Sequence, residues 1–261
     1  MKYLRTFILS FQTMMQYRAD LFLWFFVGVI PAFSLILVWL AILGDKQSIN
    51  GFTKGDFIVY YFFQTVSWYI VGGTFSRVLG TRIKNGQITM TLLKPYNLVL
   101  SRVIMEQAWK MASLILTFPV IIFMFYVFRG SIHLHFTVIQ VLALVISLIL
   151  GGVIFALIES MIGLSAFWIA QVWPLADFFW ILLGLFGGRL VPISLMPHQL
   201  QVLSQILPFK YIFYTPLTIL LNKSTDPVRD ILIQFLFMTV AFICYMLVWK
   251  NGVKKYEAVG G

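Results

Sequence analysis

Apolar runs of about twenty residues, the length a membrane-crossing helix needs, alternate along this chain with short charged breaks. Neither the two-residue period of strands nor the one-sided stripe of a surface helix accounts for them. Six segments read as spans, approximately 21–43, 57–75, 105–128, 136–158 or somewhat beyond, 173–186 and 231–249. Charge does not mark the turn between the fourth and fifth, because ESMIGLSAFWIAQVWPLAD holds two acids and no Lys or Arg. A long fourth helix ending near Trp168 and a shorter fifth starting near Pro174 are expected, since proline suits a first helical turn.

Two stretches depart from this pattern. In residues 1–19, Leu4, Phe7, Ile8, Phe11, Met14 and Met15 recur at helical spacing while Arg5, Gln12, Gln16 and Arg18 fall elsewhere on the wheel. An interfacial helix over residues 2–18 is predicted, and with no small-residue cleavage site the stretch does not read as a signal peptide. Residues 187–227 are too apolar for a solvated loop and too broken to cross a bilayer. Pro192, Pro197, Pro208 and Pro216 each end or kink a helix. Short re-entrant helices are predicted there, because irregular backbone at membrane depth survives only where protein or a wet cavity satisfies it.

Composition agrees with a membrane protein. Hydrophobic residues make up 61% and charged residues 11% of the 261-residue chain, and mean hydropathy is +0.93. The fold class is therefore all-α and integral to a membrane, as one domain over residues 1–261. The net charge of +10 lies at the ends of the apolar segments, which suits anionic lipid headgroups and not a nucleic-acid groove. One side carries twelve cations: Lys2, Arg5, Arg18, Arg77, Arg82, Lys84, Lys94, Arg102, Lys110, Lys250, Lys254 and Lys255. The other carries seven: Lys46, Lys54, Arg129, Arg189, Lys210, Lys223 and Arg229. This bias places both termini and the 76–104 loop in the cytoplasm of a multi-pass cell-membrane protein, and the 187–227 segment outside.

The cytoplasmic loop is patterned. Arg82, Ile83 and Lys84 precede a turn at Asn85, Gly86 and Gln87, and an apolar run through Leu92 and Leu93 stops at Lys94 and Pro95. It reads either as a docking knob for a cytoplasmic partner or as a basic loop lying on headgroups.

Candidate chemistry is sparse. The P-loop and dinucleotide-binding patterns are missing from the sequence, and no catalytic residue is assigned. GxSxG and HExxH are missing as well. The pair His133 and His135 has only His198 for company and reads as solvated loop histidines, so no metal site is assigned. Cys244 is the single cysteine and reads as a buried hydrophobe. Glu159 and Asp177 are acids inside or beside spans, where an unpaired charge costs about 3 kcal/mol or more. Glu159 reads as a proton or cation site or as a hydrogen-bond partner of a neighbouring helix, and Asp177 as a helix-start acid facing the dipole. Trp24, Trp39, Trp68, Trp173, Trp180 and Trp249 read as an aromatic belt.

With these elements placed, the chain resembles the permease subunits of the ABC-2 family, in the six-span bacterial branch similar to viologen exporters. The resemblance is carried by Gly187-Gly188 followed by VPISLMP, by LPFKYIFYTP at 207–216, by NGQITMTLLKPYN in the cytoplasmic loop, and by the ending NGVKKYEAVGG. It implies an exporter driven by cytoplasmic ABC ATPase subunits, with ATP and magnesium in that partner and no cofactor in this chain. A second six-span permease, a related chain or a second copy, would complete the pore among membrane lipids. It also implies that the region around Ile83 to Pro95 seats the ATPase. Gly188, Pro192, Leu195, Pro197, Pro208, Phe209 and Tyr211 would shape an external gate. Transport of an amphipathic or hydrophobic solute is the expected function. A secondary transporter or channel working without ATP, or a non-transporting scaffold, is the alternative.

Overall fold

The structure is a computed structural model, described here for residues 2–16, 18–89, 98–132 and 136–256. The described residues are almost wholly helical. The chain runs through α1 (Lys2–Gln16), α2 (Arg18–Leu43), α3 (Lys54–Val71), α4 (Phe75–Lys84), α5 (Leu98–Val127) and α6 (Val138–Leu164). It continues through α7 (Trp173–Phe186), α8 (His198–Ile206), α9 (Lys210–Leu220) and α10 (Pro227–Lys255). Short 3₁₀ turns at Ser165–Phe167 and Ile193–Leu195 join them.

Helix starts follow from local chemistry. At α3, Thr53 and Asp56 form a capping box, each side chain accepting from the other's backbone N–H. Thr137 caps α6 through the Gln140 N–H. Asp226 caps α10 ahead of Pro227, accepting from the Arg229 N–H at 3.0 Å. At α7 the start falls at Trp173 with Pro174 in the first turn, and the preceding helix ends in a 3₁₀ turn at Phe167.

Four helical stretches are long and apolar enough to cross a membrane: Phe25–Leu43, Ile104–Val127, Val138–Phe167 and Pro227–Lys255. The other two expected spans differ from their predicted form. At Gly72–Gly73 the backbone turns extended and the predicted 57–75 run divides into α3 and α4, because two adjacent glycines give the helix little reason to continue. Helix α3 has 18 residues, about 27 Å at 1.5 Å per residue, and its surface is mostly covered by protein. Helix α7 has 14 residues, about 21 Å. The chain is a multi-pass, all-α membrane protein.

In lipid the hydrophobic effect does not drive helices together, so close packing and internal hydrogen bonds must. The best-packed element is α6, which lies against α3, α4, α9 and α10. Its small residues Ser147 and Gly151, four apart, face α9 and are fully buried. A Cβ on Gly151 would come within 2.6 Å of the Ile212 carbonyl oxygen. Phe155 packs deeper in the same helix between Trp68, Trp180 and Phe213.

The connections sort to two ends. At one, Lys223 pairs with Asp56 at 3.0 Å and donates to the Gly51 carbonyl at 2.6 Å, and Gly55 lies against the Ser131 backbone. The α2–α3, α5–α6 and α9–α10 connections therefore meet. At the other end are α4, the turn at 165–172 and the last turns of α10, where Phe167 packs over Gly252.

Candidate functional site

The site begins at α4. Its residues Phe75, Ser76, Leu79, Gly80 and Ile83 are buried at the spacing of one helical stripe. That stripe lies on α6 and α7. Glu159 of α6 is fully buried and its Oε2 accepts from the Ser76 N–H at 2.9 Å. A carboxylate at the first turn of α4 satisfies a donor that the helix cannot satisfy itself and faces the positive end of its dipole. Of the readings open for Glu159, this geometry supports the bond to a neighbouring helix. Asp177 pairs with Arg77, which also lies over the Trp173 ring at 4.9 Å. Asp177 thus joins α7 to α4; it lies beyond the first turn of α7, which holds no acid, and so is not the helix-start acid expected of it.

Residues expected to meet a partner divide along the same helix. Ile83 is 4% exposed and anchors α4 to the bundle instead of projecting from it. Lys84, Asn85 and Gln87 are exposed, with Arg82 and Gly86 half-buried. Gly86 takes φ 71°, completing the turn that the Asn-Gly pair predicts. Tyr256, just beyond α10, donates to the Gly86 carbonyl at 3.0 Å and bonds the Thr89 hydroxyl at 2.8 Å. Leu92, Leu93, Lys94 and Pro95 lie outside the described residues, as do His133 and His135. His198 opens α8 and is exposed. Cys244 is exposed on α10, contrary to the buried position expected for it.

The broken segment after α7 is tied down by side chains from the long helices. Gly188 turns the chain with φ 73°, a conformation that L side chains rarely adopt. Its carbonyl accepts from the Tyr60 hydroxyl at 2.5 Å, and the Leu190 carbonyl from Tyr61 at 2.9 Å. Pro192 and Pro197 precede the 3₁₀ turn and α8, while Pro216 sits inside α9 without ending it. Phe209 and Tyr211 are buried, Leu195 and Pro208 half-buried, and Pro197 exposed.

From Tyr211 to Leu220 every residue of α9 is buried, so the free carbonyls of its last turn need partners, and neighbouring helices also bond its first turn. Gln234 of α10 donates to the Tyr211 carbonyl at 2.7 Å and to Ser147 at 3.1 Å. Gln140 of α6 donates to the Ile219 carbonyl at 2.8 Å. Neither glutamine stands out as functional in the sequence. The available signal was a lone amide inside an apolar run, as in VIQVLALV and LIQFLF.

Between these two parts lies a cavity of about 740 Å³, bounded by α1, α2, α3, α5, α7 and the 189–190 backbone. Arg189, expected near the headgroups, points into it. Its guanidinium lies 5.1 Å from the Trp68 ring, 5.8 Å from Trp180 and 5.5 Å from Phe213. Trp68 and Trp180 therefore wall an interior site and do not belong to the belt. Glu106 of α5 lines the same cavity. One turn further on, Lys110 is 2% exposed and donates to the Ile70 carbonyl at 3.2 Å. In the sequence the surroundings of Glu106, between Arg102 and Lys110, read as a span end.

Over residues 29–260 the chain matches the family model described as ABC-2 family transporter protein. The chain belongs to the ABC-2 transporter family. No curated protein matches it. This ABC-2 protein is a membrane transport component, and the match covers every element from the middle of α2 onward, including α4, α9 and the cavity walls other than α1 and the Val27–Gly28 part of α2. Helix α1 lies before the matched region. It packs on α5 with Phe7, Phe11 and Met14 half-buried, while Leu4, Ile8, Leu9 and Met15 face outward.

Proposed function

We propose that this chain is the membrane-spanning permease subunit of an ATP-driven exporter. Six spans, α3 and α7 included, move an amphipathic or hydrophobic solute out of the cell, with ATP and magnesium held by a separate cytoplasmic ATPase. Within the family we place it among the six-span exporters similar to viologen exporters, paired with a second permease chain. One observation carries the reading. Helix α4 is an amphipathic element at one end of the bundle, fastened to α6 by Glu159 and to α7 by Arg77–Asp177, with a polar turn exposed beyond it.

A force applied at Lys84–Gln87 passes through those contacts into α6 and α7, and from α7 into the Gly188 turn and α9. In energetic terms the ATPase favours one arrangement of the bundle by its differential affinity for it. The Ile83 to Pro95 region is the seat of the ATPase in this proposal, and Gly188, Pro192, Leu195, Pro197, Pro208, Phe209 and Tyr211 shape the gate.

A Lys84→Glu, Leu92→Asp double variant is expected to reach the membrane at normal levels. It should lose co-purification of the ATPase, together with at least a tenfold share, about 1.4 kcal/mol, of its stimulated hydrolysis. Intact co-purification would show that the ATPase docks elsewhere.

Sidedness has its own measurement. In a Cys244→Ser background, a single cysteine at Leu203 is expected to react with a membrane-impermeant maleimide in intact cells, and one at Lys84 only when the cytoplasmic face is opened to the reagent. Labelling of both from one side would remove the assignment of the 187–227 segment to the external face.

A further inference from the structure

Among the described residues, two donors on the cavity wall have no hydrogen-bond acceptor. Arg189 stays protonated under all ordinary conditions, and among the described residues it has rings around it but no hydrogen-bonded or ion-paired carboxylate. Gln64 is 7% exposed, and its Nε2 has no hydrogen-bond partner among the described residues. Both line the same space. Gln64 lies four residues before Trp68, hence on the same face of α3, and Trp68 is the ring nearest Arg189.

Aromatic faces offset part of the cost of placing a cation away from water and leave the hydrogen-bonding edge of the guanidinium unmet. The acid in the cavity, Glu106, has the Lys110 ammonium one turn away on α5. Most of the remaining wall is apolar, with Val27, Pro31, Leu35, Met105, Trp109 and Trp180, and the hydroxyl-bearing Ser10, Thr13, Thr65, Tyr69 and Thr74 interrupt it.

We propose that this cavity binds an amphipathic organic anion. Its carboxylate, phosphate or sulfonate oxygens accept from Arg189 and Gln64, and its apolar body lies along the α2 and α5 walls toward α1. At about 740 Å³ the space falls within the range of about 300–1,000 Å³ for drug-sized ligands, enough for a single-chain amphipath. The planar, multiply donating guanidinium suits an oxyanion better than a neutral dipole. The proposal deepens the export reading by naming a cargo class and rests on that reading for the word cargo. The binding itself needs no ATPase.

The test uses the full chain in detergent micelles and two probes, dansylaminoundecanoic acid and its methyl ester. Trp68, Trp109 and Trp180 line the site and serve as energy-transfer donors to the dansyl group. The acid is expected to bind about tenfold or more tighter than the ester, the 1.4 kcal/mol of one charge-assisted contact. Arg189→Gln should bring that ratio to about one, and Arg189→Lys should keep part of it. Gln64→Leu should reduce it a few-fold. Val27→Trp, at an exposed position on the cavity rim, should weaken both probes alike.

Equal binding of acid and ester by the unaltered protein would overturn the proposal. So would an undiminished ratio in Arg189→Gln with an unchanged melting temperature. If that variant does not fold, the ratios in Arg189→Lys and Gln64→Leu decide the matter by the same criterion. Repeating the titration in nanodiscs with and without phosphatidylglycerol separates two sources of the same chemistry. Displacement of the acid by the anionic lipid assigns the site to a lipid headgroup, and undisturbed binding assigns it to a free solute. Failure here with ATPase capture intact removes the anion site alone, whereas lost ATPase capture with binding intact removes the export reading alone.

Discussion

Replacing Glu159 with alanine is expected to destabilise the protein by about 2–4 kcal/mol and to release α4 from the bundle. A hydrogen bond to a buried donor contributes about 0.5–1.5 kcal/mol, and removal of the side chain also leaves a void that the surroundings only partly fill, at a cost of about 2 kcal/mol or more. The Ser76 N–H would be left without an acceptor where Glu159 is now fully buried. Glu159→Gln keeps an acceptor of the same shape and should cost no more than about 1 kcal/mol. Thermal unfolding of the purified chain in detergent separates the two variants. If alanine leaves the melting temperature unchanged and glutamine abolishes transport, Glu159 is an ion site and the structural role assigned to it is wrong.

Gly188→Val is expected to have an effect as large, through a different mechanism. The left-handed backbone at φ 73° costs an L residue about 1–2 kcal/mol. A Cβ there would lie 2.7 Å from both Tyr214 Cδ2 and the Tyr60 hydroxyl, overpacking that adds about 1–3 kcal/mol. Against a total stability on the order of 5–15 kcal/mol, that sum should leave little monodisperse protein after solubilisation. Gly184→Ala, whose Cβ would meet nothing closer than 3.9 Å, is the control and should purify normally. Normal recovery and melting of Gly188→Val would mean that the tyrosine-pinned turn is not as described.

Much of the architecture was legible because membrane length and proline chemistry are local signals. The turn near Pro174 and the broken stretch after α7 could both be read from the order of residues. What could not be read was which way a helix faces. Ile83 belongs to a basic loop by sequence, yet it falls on the buried stripe of α4. Arg189 follows a span and so reads as a headgroup cation, but the Gly188 turn swings it back among Trp68, Trp180 and Phe213. Gln140 and Gln234 acquire meaning only when α9 lies between them, since the carbonyls they satisfy are distant in the chain. The division at Gly72–Gly73 was in plain view, yet apolar residues on both sides concealed it.

The Tyr256 clamp bears on the order in which the molecule is made. Its hydroxyl bonds the Gly86 carbonyl and the Thr89 side chain, residues synthesised roughly 170 positions earlier. The turn at the end of α4 therefore gains these bonds only after α10 has been inserted and its end has reached the same face of the membrane. A chain stalled or cut before Tyr256 would carry the receiving turn unfastened, so an incompletely synthesised subunit would present a turn unlike that of the finished protein.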